Sequence, residues 1–134
     1  MTRVPKFRAW NKERKSMIPV DCIDFSENVM YYSYEERFED DSAIFGDSLW
    51  LDDVILMQST GFKDCNGVEL FEGDIVTASG YEYMGFGVVR YEESLAGFVV
   101  EFTNRLMKEK PQFIYQFREL EVIGNIYDNK ELLE

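Results

Sequence analysis

Short stretches in which apolar and polar residues alternate run along most of this chain. An alternation with period two puts successive side chains on opposite faces of a strand, whereas one face of a helix repeats every three to four residues. In the C-terminal half, GVVRY (87–91), GFVVEF (97–102) and QFIYQFR (112–118) follow the strand pattern. Residues 92–97 are few enough to join the first two as a hairpin. The pattern therefore predicts a mainly β protein with little helix.

The N-terminal region shows the same style of pattern up to residue 34. KFRAW (6–10) and SMIPV (16–20) flank a polar turn, which predicts a β-hairpin. From residue 35 to residue 53 the alternation weakens and carboxylates dominate, which predicts an irregular acidic segment. We therefore expect an N-terminal β-rich region (1–53) and a second region (54–134), and the sequence leaves open whether the two form one compact unit.

The stretch FKDCNGVELFEGDIV (62–76) combines two turn signals with four acidic residues. Asn66-Gly67 predicts a type I′ hairpin turn, in which both central residues have positive φ. In the next turn, Gly73 is expected to need positive φ and Asp74 to close the turn. Gly124 interrupts the last strand. At least five strands from residue 54 to residue 127 are thus joined by tight turns, which favours a small closed or half-closed barrel.

The formal net charge of −12 is unevenly distributed. The first twenty residues are basic, whereas residues 35–53 contain eight acidic residues and a single Arg37. A strongly acidic chain disfavours nucleic acid, because binding there depends on Lys and Arg at the phosphates. Two interpretations of the asymmetry remain: solvated faces that complement each other within the molecule, or an acidic surface for a basic host or phage protein.

Several classes of chemistry lack the residues that they need. The chain has no His, which removes His-based triads, His general bases and His metal ligands. Cys22 and Cys65 are the only cysteines, too few for a structural zinc site, and their pairing is left open. The glycine spacing matches neither a calcium loop nor a nucleotide motif. We expect no cofactor and no metal, no membrane span, and a cytoplasmic location.

Three blocks of the sequence resemble the YopX-like proteins of phages and prophages: KFRAWNKERKSMI (6–18), LMQSTGFKDCNGVELFEGDIV (56–76) and VIGNIYDNKELLE (122–134). The resemblance implies a mostly β protein whose C-terminal half is an SH3-like barrel of about five strands. The last residues, DNKELLE (128–134), are predicted to form a short helical turn capped by Asp128 or Asn129. The resemblance also implies an infected or lysogenic bacterium as the setting, and it carries over no catalytic residue. Lys130 departs from the proline that family members often have there.

Three hypotheses of function follow. The first is a non-catalytic binding module for a protein partner, with the rings of Tyr81, Tyr83, Phe86 and Tyr91 as candidate binding surface. The alternative that these rings belong to the core stays open. The second hypothesis is a virion or regulatory assembly protein that forms a homo-oligomer. The third and least favoured is a metal-dependent hydrolase, which would need at least three converging carboxylates.

Overall fold

The computed structural model describes residues 4–79, 84–103, 112–117 and 119–133. The chain divides into two compact units, residues 1–57 (unit 1) and residues 58–134 (unit 2). This boundary falls inside the strand that begins at Val54, next to the predicted division between residues 53 and 54.

Strands dominate the described residues of both units, which confirms the prediction of a mainly β protein. The helical elements among these residues are short 3₁₀ turns: Leu51–Asp53, Glu93–Leu95, Ile114–Gln116 and Lys130–Leu133. The strands that begin in unit 1 are β1 (Phe7–Asn11), β2 (Ser16–Pro19), β3 (Cys22–Asp24), β4 (Val29–Arg37), β5 (Ser42–Trp50) and β6 (Val54–Lys63). Those of unit 2 are β7 (Glu69–Phe71), β8 (Asp74–Ser79), β9 (Met84–Glu92), β10 (Gly97–Phe102), β11 (Gln112–Phe113) and β12 (Glu119–Asn125).

Unit 1 contains the predicted β1–β2 hairpin and a three-stranded antiparallel sheet in the order β3-β4-β5. In the hairpin, Ala9 lies opposite Ile18, and both side chains are buried. Ala9, Met30 and Val54 form the centre of the hydrophobic core of this unit. Around them pack the partly buried side chains of Val20, Tyr32, Leu49, Leu51 and Leu56.

The expectation of an irregular segment over residues 35–53 is wrong for most of that range. β4 and β5 pair along their whole length, from Val29 opposite Trp50 to Arg37 opposite Ser42. Alternation in sequence reports the burial of one strand face. Beyond Ser33 this hairpin exposes nearly every side chain, so that its strands form through backbone pairing without leaving an alternating apolar pattern.

Unit 2 contains a five-stranded antiparallel sheet in the order β11-β10-β9-β8-β12. β8 to β11 follow one another as a meander, and β12 returns to pair with β8. Val100 lies opposite Val89 on the buried side, and both are fully buried. The core is completed by Leu70, Val76, Ala78, Ile114 and Leu120. This strand order is compatible with the predicted small barrel.

The turn at Asn66-Gly67 differs from the prediction. Gly67 has a φ of +82°, but Asn66 does not have positive φ, so the turn is not of type I′. The N–H of Gly67 donates to the carbonyl oxygen of Asp64 at 3.0 Å, and the N–H of Asn66 donates to the Asp64 carboxylate at 2.9 Å. Asp64 thus stabilises a turn of right-handed backbone conformation that ends at Gly67, whose own backbone conformation is left-handed.

The second turn of the stretch centres on Gly73, which has a φ of +87°. Asp74 closes this turn, since its carboxylate accepts the N–H of Phe71 at 2.8 Å. The N–H of Gly73 donates to the carbonyl of Val89, and its carbonyl accepts from Ile126. The glycine therefore links β9 to the residues that follow β12.

The C-terminal strands are shorter or less regular than their sequence patterns suggest. Within the described part of the predicted strand, residues 112–117, Gln112–Phe113 is strand. Ile114–Gln116 then turns, so that Ile114 enters the core while Tyr115 stays exposed. In β12 the register shifts between Val122 and Gly124. This bulge corresponds to the interruption of the last strand that was predicted at Gly124.

Candidate protein-binding surface

Of the four rings predicted as a binding surface, the structure describes Phe86 and Tyr91. Tyr81 and Tyr83 lie outside the described residues. Phe86 and Tyr91 both lie on β9, but an odd separation along a strand puts them on opposite faces. Tyr91 packs edge-to-face against Phe98, with ring centroids 5.4 Å apart. Phe86 instead lines a groove of about 390 Å³ beside Cys65.

The four carboxylates of the 62–76 stretch all accept hydrogen bonds within unit 2. Glu69 accepts from the Ser59 hydroxyl at 2.8 Å, and Glu72 accepts from the N–H of Gln58 at 3.0 Å. Asp74 closes the turn described above. The most extensively bonded is Asp64, whose oxygens accept the N–H groups of Asn66, Val68 and Val122. These acids stabilise the fold and leave little capacity for a ligand.

The surroundings of Asp64 and Cys65 determine how these two side chains ionise. Burial opposes the charge of Asp64, but the three N–H donors outweigh it and lower the pKa of this carboxyl group. At Cys65, partial desolvation raises the pKa of the thiol, and the carboxylates of Asp64, Glu121 and Glu119 raise it further. A thiol whose pKa is raised is less nucleophilic at neutral pH. Both cysteines are free and exposed.

The solvent-facing side of the three-stranded sheet of unit 1, here called the outer face, carries large exposed apolar side chains. Tyr31, Ile44 and Trp50 share this face, because directly paired residues of β4 and β5 point to the same side. Ile44 is 79% exposed and Trp50 is 60% exposed. Glu35 lies opposite Ile44 on the same face. Large aromatic and apolar side chains that are exposed in the free protein are candidates for contact with a protein partner.

The edge of this sheet at β5 is also open among the described residues. β5 pairs with β4 on one side only. Asp47 is its single charged residue, and it contains neither lysine nor proline. Charged residues, especially lysine, and proline commonly protect natural edge strands from pairing with another chain. An open edge of nine residues is thus available for a further strand.

The opposite side of the same sheet is here called the inner face. Along β4 its side chains belong first to the hydrophobic core and then to the wall of a cleft. Met30 is fully buried, whereas Tyr32, Tyr34 and Glu36 follow it at period two toward the hairpin tip. Together with Asp47, which lies opposite Tyr32, they form one wall of a cleft of about 420 Å³. The other wall of this cleft consists of Asn11, Arg14, Ser16 and Ile18.

Asn11 holds the loop that carries Arg14. Its side chain is buried, and its Oδ1 accepts the N–H groups of Glu13 and Arg14 at 3.0 and 3.1 Å. Lys15 ends the loop with a φ of +53° and donates its N–H to the Asn11 carbonyl. The position of Arg14 is therefore fixed by the fold of the β1–β2 hairpin. Sequence reasoning missed this cleft, although the MxYxYxE alternation of residues 30–36 was a usable signal.

The carboxylates of residues 35–53 do not converge. Glu35 and Glu36 lie on opposite faces of β4. Asp41 accepts the N–H of Ser42, and Asp52 accepts the side-chain N–H of Asn28. Within the described ranges, no group of three acidic or cysteine side chains is arranged to hold a metal ion. Nor does that part of the chain contain a helix long and apolar enough to cross a membrane.

Comparison with known proteins gives a family and a structural relative. The model of the YopX protein family matches residues 6–134. The crystal structure of protein EF1440 from Enterococcus faecalis is similar, with 32% sequence identity and a TM-score of 0.67. The similarity covers 99% of this chain and 100% of that one. No match was found among curated proteins. The chain belongs to the YopX family.

Proposed function

We propose that the protein is a non-catalytic binding module for a basic protein partner, and that the outer face of the unit 1 sheet is its docking surface. The observation that carries the proposal is the exposure of Tyr31, Ile44 and Trp50 on one sheet face. Tyrosine and tryptophan are enriched among the residues that dominate binding energy at interfaces. In keeping with the resemblance to phage and prophage proteins, the proposed setting is the cytoplasm of an infected or lysogenic bacterium.

Hydrophobic burial would supply the affinity. Removing a large apolar side chain from water contributes about 1.5–3 kcal/mol, so that Ile44 and Trp50 together could stabilise a complex by several kcal/mol. The carboxylates of the same hairpin add charge complementarity. Glu35, Glu39 and Asp40 form no side-chain hydrogen bond or ion pair with another described residue. Unpaired acids on the same hairpin favour the approach of a basic protein and raise its association rate.

The test is capture from a host lysate by the immobilised protein, with single variants of the outer face. Ile44→Ser and Trp50→Ser are expected to lose a partner that the wild type retains, and higher salt is expected to weaken its capture. Val68→Ser is the matched control, because Val68 is an exposed apolar residue of unit 2. Capture that is equal for all four proteins, or a captured partner of acidic composition, would contradict the proposal.

A second candidate is an assembly protein of the virion or of the phage regulatory programme. It is supported by the open β5 edge, since an unpaired strand is a template for pairing with another copy. Sedimentation over a concentration series tests it, with Ser48→Lys as the variant because a charge on an edge strand opposes pairing. A defined oligomer that Ser48→Lys dissociates supports assembly. A wild type that stays monomeric throughout rules it out.

A further inference from the structure

We propose that the cleft of unit 1 receives a cationic side chain, specifically an arginine guanidinium, from a basic segment of the partner. The inference rests on the proposed function, because it takes the ligand to be part of a protein, and it names the chemistry that the cleft recognises. It concerns the inner face of the β3-β4-β5 sheet, which the outer-face docking surface does not include.

Aromatic rings supply the first part of the recognition. Tyr32 and Tyr34 line the cleft, and their ring centroids are 6.2 Å apart. Phe45 stacks on Tyr34 at 5.8 Å, with an interplanar angle of 28°, which supports the Tyr34 ring from the neighbouring strand. The face of an aromatic ring attracts a cation within about 6 Å of its centroid. A guanidinium also stacks on such a face because it is planar.

Carboxylates supply the second part. Glu36 and Asp47 line the same cleft as the tyrosines. Glu36 makes no side-chain hydrogen bond or ion pair with the residues that the structure describes. One Asp47 oxygen accepts the N–H of Ser48 at 2.7 Å, which leaves the other oxygen available. Carboxylate and guanidinium form paired, charge-assisted hydrogen bonds, a geometry that a lysine ammonium cannot reproduce.

The size of the cleft fits a side chain better than an ion. Its volume of about 420 Å³ lies in the lower part of the range for ligand sites, roughly 300–1,000 Å³. A bound divalent cation would require several converging oxygen ligands, and the described residues include no such group. One long side chain and the adjoining backbone fit within this space.

Arg14 on the opposite wall of the cleft makes it possible to distinguish a cationic ligand from an anionic one. It makes no ion pair with Glu36 or Asp47 in this structure. The charges that line the cleft are therefore two carboxylates and one guanidinium, a net negative charge. An arriving cation is repelled by Arg14, so removal of the Arg14 charge is expected to strengthen binding. An anionic or amphoteric ligand would show the opposite dependence.

The experiment is an NMR titration of the ¹⁵N-labelled protein with the peptide acetyl-Gly-Arg-Gly-amide. The control peptide contains citrulline, which has nearly the same shape as arginine but no charge. We expect the arginine peptide to shift the amides of residues 32–36 and 45–48, and the citrulline peptide to leave them unchanged. Equal shifts with both peptides, or shifts confined to other residues, would overturn the proposal.

Four variants separate recognition in the cleft from the general attraction of an acidic protein. Glu36→Gln and Tyr34→Leu are each expected to weaken binding about two- to fivefold, the range for an exposed ion pair or an exposed cation–ring contact. Glu93→Gln makes the same change in net charge at an exposed site in unit 2 and should have little effect. Arg14→Gln should strengthen binding. A weaker Arg14→Gln complex, or equal effects of the two glutamate substitutions, would contradict the inference.

The inference and the proposed function fail in different ways. If Ile44→Ser abolishes protein capture but Glu36→Gln and Tyr34→Leu leave capture and peptide binding unchanged, the outer face binds a partner and the cleft proposal is wrong. If the peptide binds in the cleft but the outer-face variants capture as well as the wild type, the docking surface is wrong. Shifts of the same amides with protein concentration alone would assign the cleft to a second copy of the chain and overturn the proposal.

Discussion

Asp64→Ala is the substitution that most directly tests why the 62–76 stretch has its sequence. Asp64 is only 8% exposed. One of its oxygens accepts the N–H groups of Asn66 and Val68 at 2.9 and 2.8 Å, which forms the β6–β7 turn. The other accepts the N–H of Val122 at 3.0 Å, which ties that turn to β12 across 58 positions of sequence. Alanine removes all three acceptors at once.

The expected loss of stability follows from these three hydrogen bonds. A side-chain acceptor for a backbone N–H in a turn or cap contributes about 1 kcal/mol. A hydrogen bond to a charged group contributes about 1.5–3 kcal/mol, and the N–H of Val122 is the donor least able to find water. Burial of the carboxylate offsets part of the sum. We therefore expect Asp64→Ala to lower the free energy of unfolding by about 2–4 kcal/mol.

The effect should depend on pH in a defined direction. The pKa of Asp64 is lower in the folded protein than its ordinary value of 3.8. A group with a lowered folded pKa contributes stability that is present above its unfolded pKa and is lost as the pH falls through its folded pKa. The difference between wild type and Asp64→Ala should thus be full at pH 7 and shrink below about pH 4.

Urea denaturation at pH 7 and at a series of acid pH values measures both effects. Asp64→Asn keeps one acceptor oxygen, so it should retain either the turn bonds or the Val122 bond and lose about half as much stability. Glu93→Ala removes an exposed acid that makes no side-chain hydrogen bond among the described residues and should change little. A loss below about 1 kcal/mol for Asp64→Ala, with an unchanged denaturant slope, would refute the reasoning.

Three further substitutions are expected to change the urea midpoint. Gly73→Ala should cost more than about 1 kcal/mol, because a φ of +87° strains any residue with a Cβ, and a fully stable variant would contradict this. Gly87→Ala should cost about 1–3 kcal/mol, since its Cβ would meet the carbonyl of Glu101. Gly46→Ala, whose nearest contact is at 3.8 Å, is the control and should be neutral. Ala96→Gly should stabilise by roughly 0.5–1 kcal/mol, because Ala96 has a φ of +51°, and a loss would contradict the strain argument.

Sequence patterns predicted the strands of unit 2 best, for a physical reason. GVVRY and GFVVEF belong to strands that bury one face, and burial imposes the alternation that the prediction uses. The 112–118 stretch alternates as well, but among its described residues, 112–117, the strand has two residues. There the backbone turns after Phe113, and Gln116 closes the turn by accepting the Phe113 N–H. A side-chain to backbone bond of this kind has no periodic signature.

The candidate site was harder to predict than the fold. A cleft between two hairpins forms where a face of one hairpin lies against a face of the other. A period-two pattern shows which side chains share a face of one strand, but it does not show which other strand that face contacts. The tyrosines at positions 32 and 34 are informative only once β5 is known to be a strand and Asp47 is known to lie opposite Tyr32. Because β5 is exposed, its pattern did not reveal it. The error over residues 35–53 therefore concealed both the cleft and the outer face.

The two acidic regions of the chain differ in how many of their carboxylates accept hydrogen bonds. In the 62–76 stretch every carboxylate accepts a hydrogen bond, and a representative pair is Asp64 and Asp74. On the β4–β5 hairpin, Glu35 and Glu36 make no side-chain contact of this kind with the described residues. Unpaired like charges on one small hairpin repel each other and destabilise it. Such a cost would be compensated by the binding of an oppositely charged partner, which is why we propose the hairpin, and not the glycine-rich stretch, as the recognition surface of this protein.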